Sequence, residues 1–133
     1  MVVIDTNIIF SILLDKHSAI RDKFFERDVK YYAPNFVFVE IFNNKEKLLK
    51  HSKLSDIELL ELMYRIFQKI SFVSEATISK DNKKKAFRLC KDIDEDDTPF
   101  VALALEFEAE IWSGDKKLNI GLKKKGFNRF FKQ

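Results

Sequence analysis

The sequence predicts an α/β fold in which helices cover both faces of a parallel sheet. Three observations carry that prediction. Short apolar runs at residues 1–4, 29–33, 72–73 and 110–112 alternate with longer stretches of helical spacing, the order that builds βαβ units. Gly and Pro are scarce, at three and two residues, which argues against a β-sandwich and against linkers. Acids close the first and last of these runs, as Asp5 and Asp115, at the strand ends where open α/β sheets place their ligands.

The bulk numbers narrow the class. A chain of 133 residues, 46% apolar and 34% charged, is expected to form one domain (1–133) with a sizeable core. The single Cys90 cannot make an internal disulfide, which fits a reducing cytoplasm. No apolar run approaches the roughly 20 residues of a membrane span. The N-terminus has no charged stretch before its apolar residues, so no signal peptide is expected.

In chain order, residues 1–4 read as a buried strand. Asp5-Thr6-Asn7 then turns into a helix with Ile8, Ile9, Ile12 and Leu13 at helical spacing. Asp5 serves there either as a ligand group or as the helix cap. Residues 16–28 suit a surface helix, and 29–33 a second strand. Pro34 is expected to start a helix running to about Lys50. Glu40 is the one acid in its apolar first half, and a buried Glu needs a partner: a bound cation, or a salt bridge to another helix.

Ser55-Asp56-Ile57-Glu58 is a capping box opening a helix to about Ile70, with Leu59, Leu60, Leu62, Met63, Ile66 and Phe67 inward. A helix over 78–91 follows the brief strand at 72–73. It exposes Lys83, Lys84 and Lys85 and turns Ala86, Phe87, Leu89 and Cys90 inward. Residues 92–97 then hold five carboxylates in six positions. Thr98 is expected as the cap and Pro99 as the first residue of a buried helix ending near Glu108. Five acids exceed what a cap uses, and such a cluster of like charges calls for a divalent cation. A strand at 110–112, a helix over 116–125 and an edge strand over 127–131 complete the chain.

Charge is unevenly spread. Beyond Asp115 there is no acid, while Lys116, Lys117, Lys123, Lys124, Lys125, Arg129 and Lys132 follow. A basic tail beside a separate acidic focus suits a polyanion held near a bound cation; a solvated Lys-rich face is the plainer account. An all-oxygen set of Asp5, Glu40, Asp97 and Asp115, without His or Cys, suits Mg²⁺ or Mn²⁺ rather than Zn²⁺. An EF-hand is excluded because its Gly and final Glu positions hold Asp97 and Leu103. Nucleotide-binding loops are excluded because the three Gly are not clustered. His17 and His51 stand isolated in charged segments.

Asp5-Thr6-Asn7 after a first strand, Glu40 in Val39-Glu40-Ile41, Asp97 ahead of Phe100-Val101-Ala102-Leu103-Ala104, and Ser113-Gly114-Asp115 together resemble a PIN domain over nearly the whole chain. The resemblance implies a three-layer α/β/α sandwich that cleaves RNA with Mg²⁺ or Mn²⁺. It makes Asp5, Glu40, Asp97 and Asp115 an acidic quartet, with Thr6, Asn7 and Ser113 as orienting neighbours. Two features depart from the common pattern: Pro99 follows the third acid, and Asp94 lies three residues before it, so Asp94 competes with Asp97 as metal ligand. Lys116, Lys117 and Lys123 to Lys125 would attract the RNA backbone. The length is similar to single-domain VapC-type toxins, so a cognate antitoxin and a homodimer are expected partners. A catalytically silent PIN-like module that binds nucleic acid or protein is the rival reading.

Overall fold

Strand β1 (Val2–Ile4) is buried along its whole length, which happens only when both faces of a strand are covered. A computed structural model gives the arrangement, describing residues 1–14 and 19–132. β1 lies at the middle of a four-stranded sheet of order β3-β2-β1-β4, with β2 (Tyr31–Pro34), β3 (Ile70–Val73) and β4 (Glu110–Trp112). Every pairing is parallel, with Val3 opposite Tyr32 and Ile111, and Ala33 opposite Phe72. All strand carboxyl ends therefore share one edge.

Helix α7 (Thr98–Phe107) packs on β1, β2 and β4, and α6 (Lys80–Cys90) backs it. Phe100 to Ala104 are all buried, so α7 is the core helix that its continuous apolar run demands. Helix α1 (Thr6–Leu14) gathers α2 (Ala19–Glu26), α3 (Phe36–Asn43), α4 (Lys45–His51) and α5 (Asp56–Lys69) around it. The result is the expected α/β/α architecture. Ser55 and Glu58 form the reciprocal cap of α5. Helix α8 (Lys116–Lys124) follows β4. Among the described residues, no helix is long and apolar enough to cross a membrane. The expected surface helix at 16–28 begins outside the described residues, as does His17; α2 is its described part.

Several expectations need correction. Pro34 ends β2 instead of starting a helix. It lies beyond the last residue paired with β1, so its missing N–H costs no ladder bond there. The helix expected from Pro34 to Lys50 is two helices. At the break, the Asn44 side-chain amide donates to the Glu40 carbonyl at 2.7 Å and competes with the helical backbone. Leu60 on α5 and Phe87 on α6, expected inward, are exposed, and Phe38, Val39 and Phe42 on α3 are exposed as well. Thr98 is the first residue of α7, and Asp97 holds the cap position with no capping hydrogen bond from its side chain. The expected edge strand at 127–131 is a single bridge between Ile111 and Phe130.

Candidate active site

The carboxyl edge of the sheet opens into a cleft of about 540 Å³ lined by Asp5, Thr6, Asn7, Glu40, Asp94 and Asp97, among others. Three separate stretches of chain deliver these residues. β1 ends directly in Asp5, and burial follows from that position: Asp5 is only 5% exposed. Its Oδ1 accepts from the Ile8 amide at 2.9 Å and so caps α1. Cap and ligand candidate are thus the same residue, because one carboxylate has two oxygens.

Second-strand topology brings in Glu40. α3 leaves the end of β2 and carries Glu40 one turn along, where the Thr6 hydroxyl donates to its Oε1 at 3.0 Å. Glu40 is half-buried, and its partner is this hydroxyl; no ion pair reaches it among the described residues.

The acidic loop supplies the rest. After α6, the loop forms a 3₁₀ turn at Glu95–Asp97, capped by Asp94, whose Oδ1 accepts from the Asp96 amide at 3.0 Å. Asp97 spends no oxygen on a cap. Burial pushes the Asp97 carboxyl up to about 7, and the charge of Asp94 adds to it, followed by Asp5, Asp115 and Asp96. Burial also raises Asp5, against hydrogen bonds from Ser113 and Ile8 that lower it, with Asp115 and Glu40 raising it further. These mutual effects place the acids within electrostatic reach of one another.

Asp115 does not line the cleft. It follows β4 and caps α8, its Oδ1 accepting from the Leu118 amide at 3.2 Å, yet its charge is felt at both Asp5 and Asp97. Ser113 is buried. Its hydroxyl accepts from the Asp115 amide at 3.1 Å and lies near enough to Asp5 to lower that carboxyl's pKa, so it stands between the two strand ends. Asn7 is exposed on the cleft wall. Among the described residues, no three of His, Cys, Asp and Glu are drawn together tightly enough to grip one ion.

Of the lysines expected to face RNA, Lys125 is otherwise engaged. Its ammonium donates to the carbonyls of Arg88 and Leu89 and pairs with Asp92 at 3.0 Å, closing the end of α6. Lys116 and Lys123 line a second cleft, and Lys117 and Lys124 are exposed. Sequence reasoning passed over Glu75, which lines the acidic cleft just after β3. An acid soon after an apolar run was the signal, as at Asp5 and Asp115. Phe36 and Phe100, packed edge to face at 5.2 Å, also line the cleft.

A family model described as PIN domain matches residues 3–131. The chain belongs to the PIN-domain family. PIN domains are generally nucleases, hydrolases of nucleic acid that typically use divalent metals, and the parallel sheet with its acidic carboxyl edge fits that family. No curated protein matches the chain.

Proposed function

We propose that this PIN domain is an Mg²⁺- or Mn²⁺-dependent endoribonuclease that hydrolyses RNA phosphodiester bonds, and that it acts as the toxin of a toxin–antitoxin pair. One observation carries the nuclease reading: acids from separate elements face one cleft, where burial first and their mutual repulsion second push Asp97 up to about 7. Such a field favours a cation, and an all-carboxylate donor set suits a hard one.

In this reading Asp5, Glu40 and Asp97 hold the metal from the cleft, and Asp115, outside its lining but with its charge felt at Asp5 and Asp97, completes the set. Of the two competing loop acids, Asp97 spends no oxygen on a cap whereas Asp94 gives one to the 3₁₀ turn, so Asp97 is taken as the third ligand. The bound ion would lower the pKa of a water and offset charge on the phosphate. The chain's own residues do the positioning. Thr6 fixes the Glu40 carboxylate, Ser113 holds the Asp115 amide, and the caps of α1 and α8 each occupy one oxygen of Asp5 and Asp115 and leave the other. Phe36 and Phe100 give the cleft an apolar side, which limits water. Lys116, Lys117, Lys123 and Lys124 attract the RNA backbone without reading bases.

The exposed Phe38, Val39, Phe42, Leu60 and Tyr64 on α3 and α5 are what a protein partner would cover, and we seat a second copy there. Sedimentation reads that dimer directly. Growth arrest on expression, relieved by a co-expressed neighbouring gene, reads the toxin role.

The silent binding module has one observation in its favour, the absence of a ready three-donor group among the described residues. Labelled RNA incubated with Mn²⁺, Mg²⁺ or EDTA, beside an Asp5→Asn variant, separates the two. Metal-dependent cleavage lost in the variant supports the nuclease. RNA binding without cleavage under any metal supports the module.

A further inference from the structure

A second cleft, of about 520 Å³, opens beside Ser113 and Gly114 between α8 and the C-terminal segment. Its chemistry is the reverse of the first. Lys116, Lys123 and Lys132 line it, with Asn128, Phe130 and Phe131, and no acid is among its described lining residues. The size is that of a small-ligand site, which runs roughly 300–1,000 Å³.

Its walls are built. Lys116 and Lys123 lie seven residues apart, two turns along one face of α8. The opposite wall is held to β4: Ile111 accepts from the Phe131 amide at 2.9 Å and donates to the Arg129 carbonyl at 2.9 Å. Phe131 packs on Trp112 with ring centroids 5.0 Å apart, and the Lys123 ammonium stands 5.2 Å from the Phe130 ring. Asn119 braces the rim by donating to the Ser113 carbonyl at 3.1 Å. Ser113, on the lining of this cleft, also lies near enough to Asp5 of the acidic cleft to lower that carboxyl's pKa, so the two clefts are neighbours.

Cations, half-buried aromatic rings and an exposed amide form the combination that takes single-stranded nucleic acid, with phosphate on the cations, base on the rings and base edge on the amide. We propose that this cleft is a nucleotide subsite of the nuclease, holding one nucleotide of single-stranded RNA on one side of the scissile bond. Lys116, Lys123 and Lys132 take its phosphates, Phe130 and Phe131 face its base, and Asn128 reads the base edge. The inference rests on the nuclease reading and adds to it a place where one base is selected.

The test is the affinity of a labelled single-stranded RNA oligonucleotide across a salt series, by fluorescence anisotropy, with every variant made in an Asp97→Asn background so that RNA stays intact. Lys123→Glu with Lys132→Glu is expected to weaken binding at least about tenfold and, at roughly 0.7 per phosphate on single strands, to lower the salt slope by about 1.4. Lys83→Glu with Lys84→Glu makes the same charge change on α6 and is expected to cost less than about threefold. Asn128→Ala is expected to change preference among oligonucleotides of different base and leave the salt slope alone. Equal losses from the two lysine pairs, or none from the cleft pair, overturn the subsite. Wild-type cleavage assayed alongside keeps the readings apart. Cleavage with an indifferent cleft pair sinks the subsite alone, and cleft-dependent binding without any cleavage sinks the nuclease alone.

Discussion

The Thr6 hydroxyl reaches across 34 residues of chain to donate to Glu40 Oε1 at 3.0 Å. It joins the start of α1 to the middle of α3 and so fixes how far the Glu40 carboxylate stands from Asp5. Removing such an outer partner of a metal ligand typically costs 10- to 100-fold in affinity or activity. Thr6→Val keeps the shape and removes the donor, so cleavage is expected to fall by about that range with the fold unchanged. Thr6→Ser restores the donor. Rates for the three proteins, with circular dichroism as the folding control, check this.

Asp97 has a sign that can be read by melting. Its carboxyl titrates at about 7 when folded against 3.8 for the ordinary group, so the native state keeps that proton to higher pH than the unfolded chain does. Its contribution to stability therefore falls as pH rises from about 4 to 7 and levels off above. Asp97→Asn removes the ionisation. In the absence of divalent metal, the variant is expected to melt higher than wild type at pH 8, to lose the pH 4–7 slope assigned to this group, and to cleave nothing. A variant less stable than wild type at pH 8 would contradict the burial and repulsion argument.

Lys125 is expected to matter for stability and not for RNA. Its ammonium satisfies two carbonyls at the end of α6 and pairs with Asp92. Lys125→Met should cost about 1.5–3 kcal/mol, the range for hydrogen bonds to a charged group. The salt slope of RNA binding should not move. Chemical denaturation and anisotropy give the two numbers.

Gly121 on α8 packs against the acidic loop. A Cβ there would overlap the Ile93 side chain, with Cγ1 at 2.8 Å, and Ile93 sits between Asp92 and Asp94. Gly121→Ala is expected to lower the melting temperature and to reduce cleavage together, because the loop must move. Adding Ile93→Ala should recover activity even while stability stays low. Activity unchanged in Gly121→Ala would uncouple the loop from the site.

How much of this was legible in the sequence depends on whether local or tertiary forces decided it. The Ser55 capping box, the buried Val2–Ile4 strand and the apolar run of α7 are set by neighbouring residues, and they read correctly. Pro34 and Asn44 did not, because each has two local uses. Pro34 could open a helix or close a strand, and only the shorter reach of β1 decides. The exposure of Phe38, Phe42, Leu60 and Phe87 was hidden because periodicity shows that a face is apolar, not that anything covers it. Asp5, Glu40, Asp94 and Asp97 were findable as acids at strand ends or in apolar surroundings. Glu75 carried the same signal and was passed over, lying on a 3₁₀ turn outside any motif. Lys125 looked like one more surface lysine, since its carbonyl partners on α6 lie more than 30 residues away.

Direct titration of Mn²⁺ into the protein by calorimetry at pH 8, for wild type, Asp97→Asn and Asp94→Asn, tests the central claim most directly. Saturable binding by wild type, weakened at least about tenfold in Asp97→Asn (about 1.4 kcal/mol) and little changed in Asp94→Asn, is the predicted result. Equal binding by all three proteins, or none by wild type, would contradict a metal site built on Asp97.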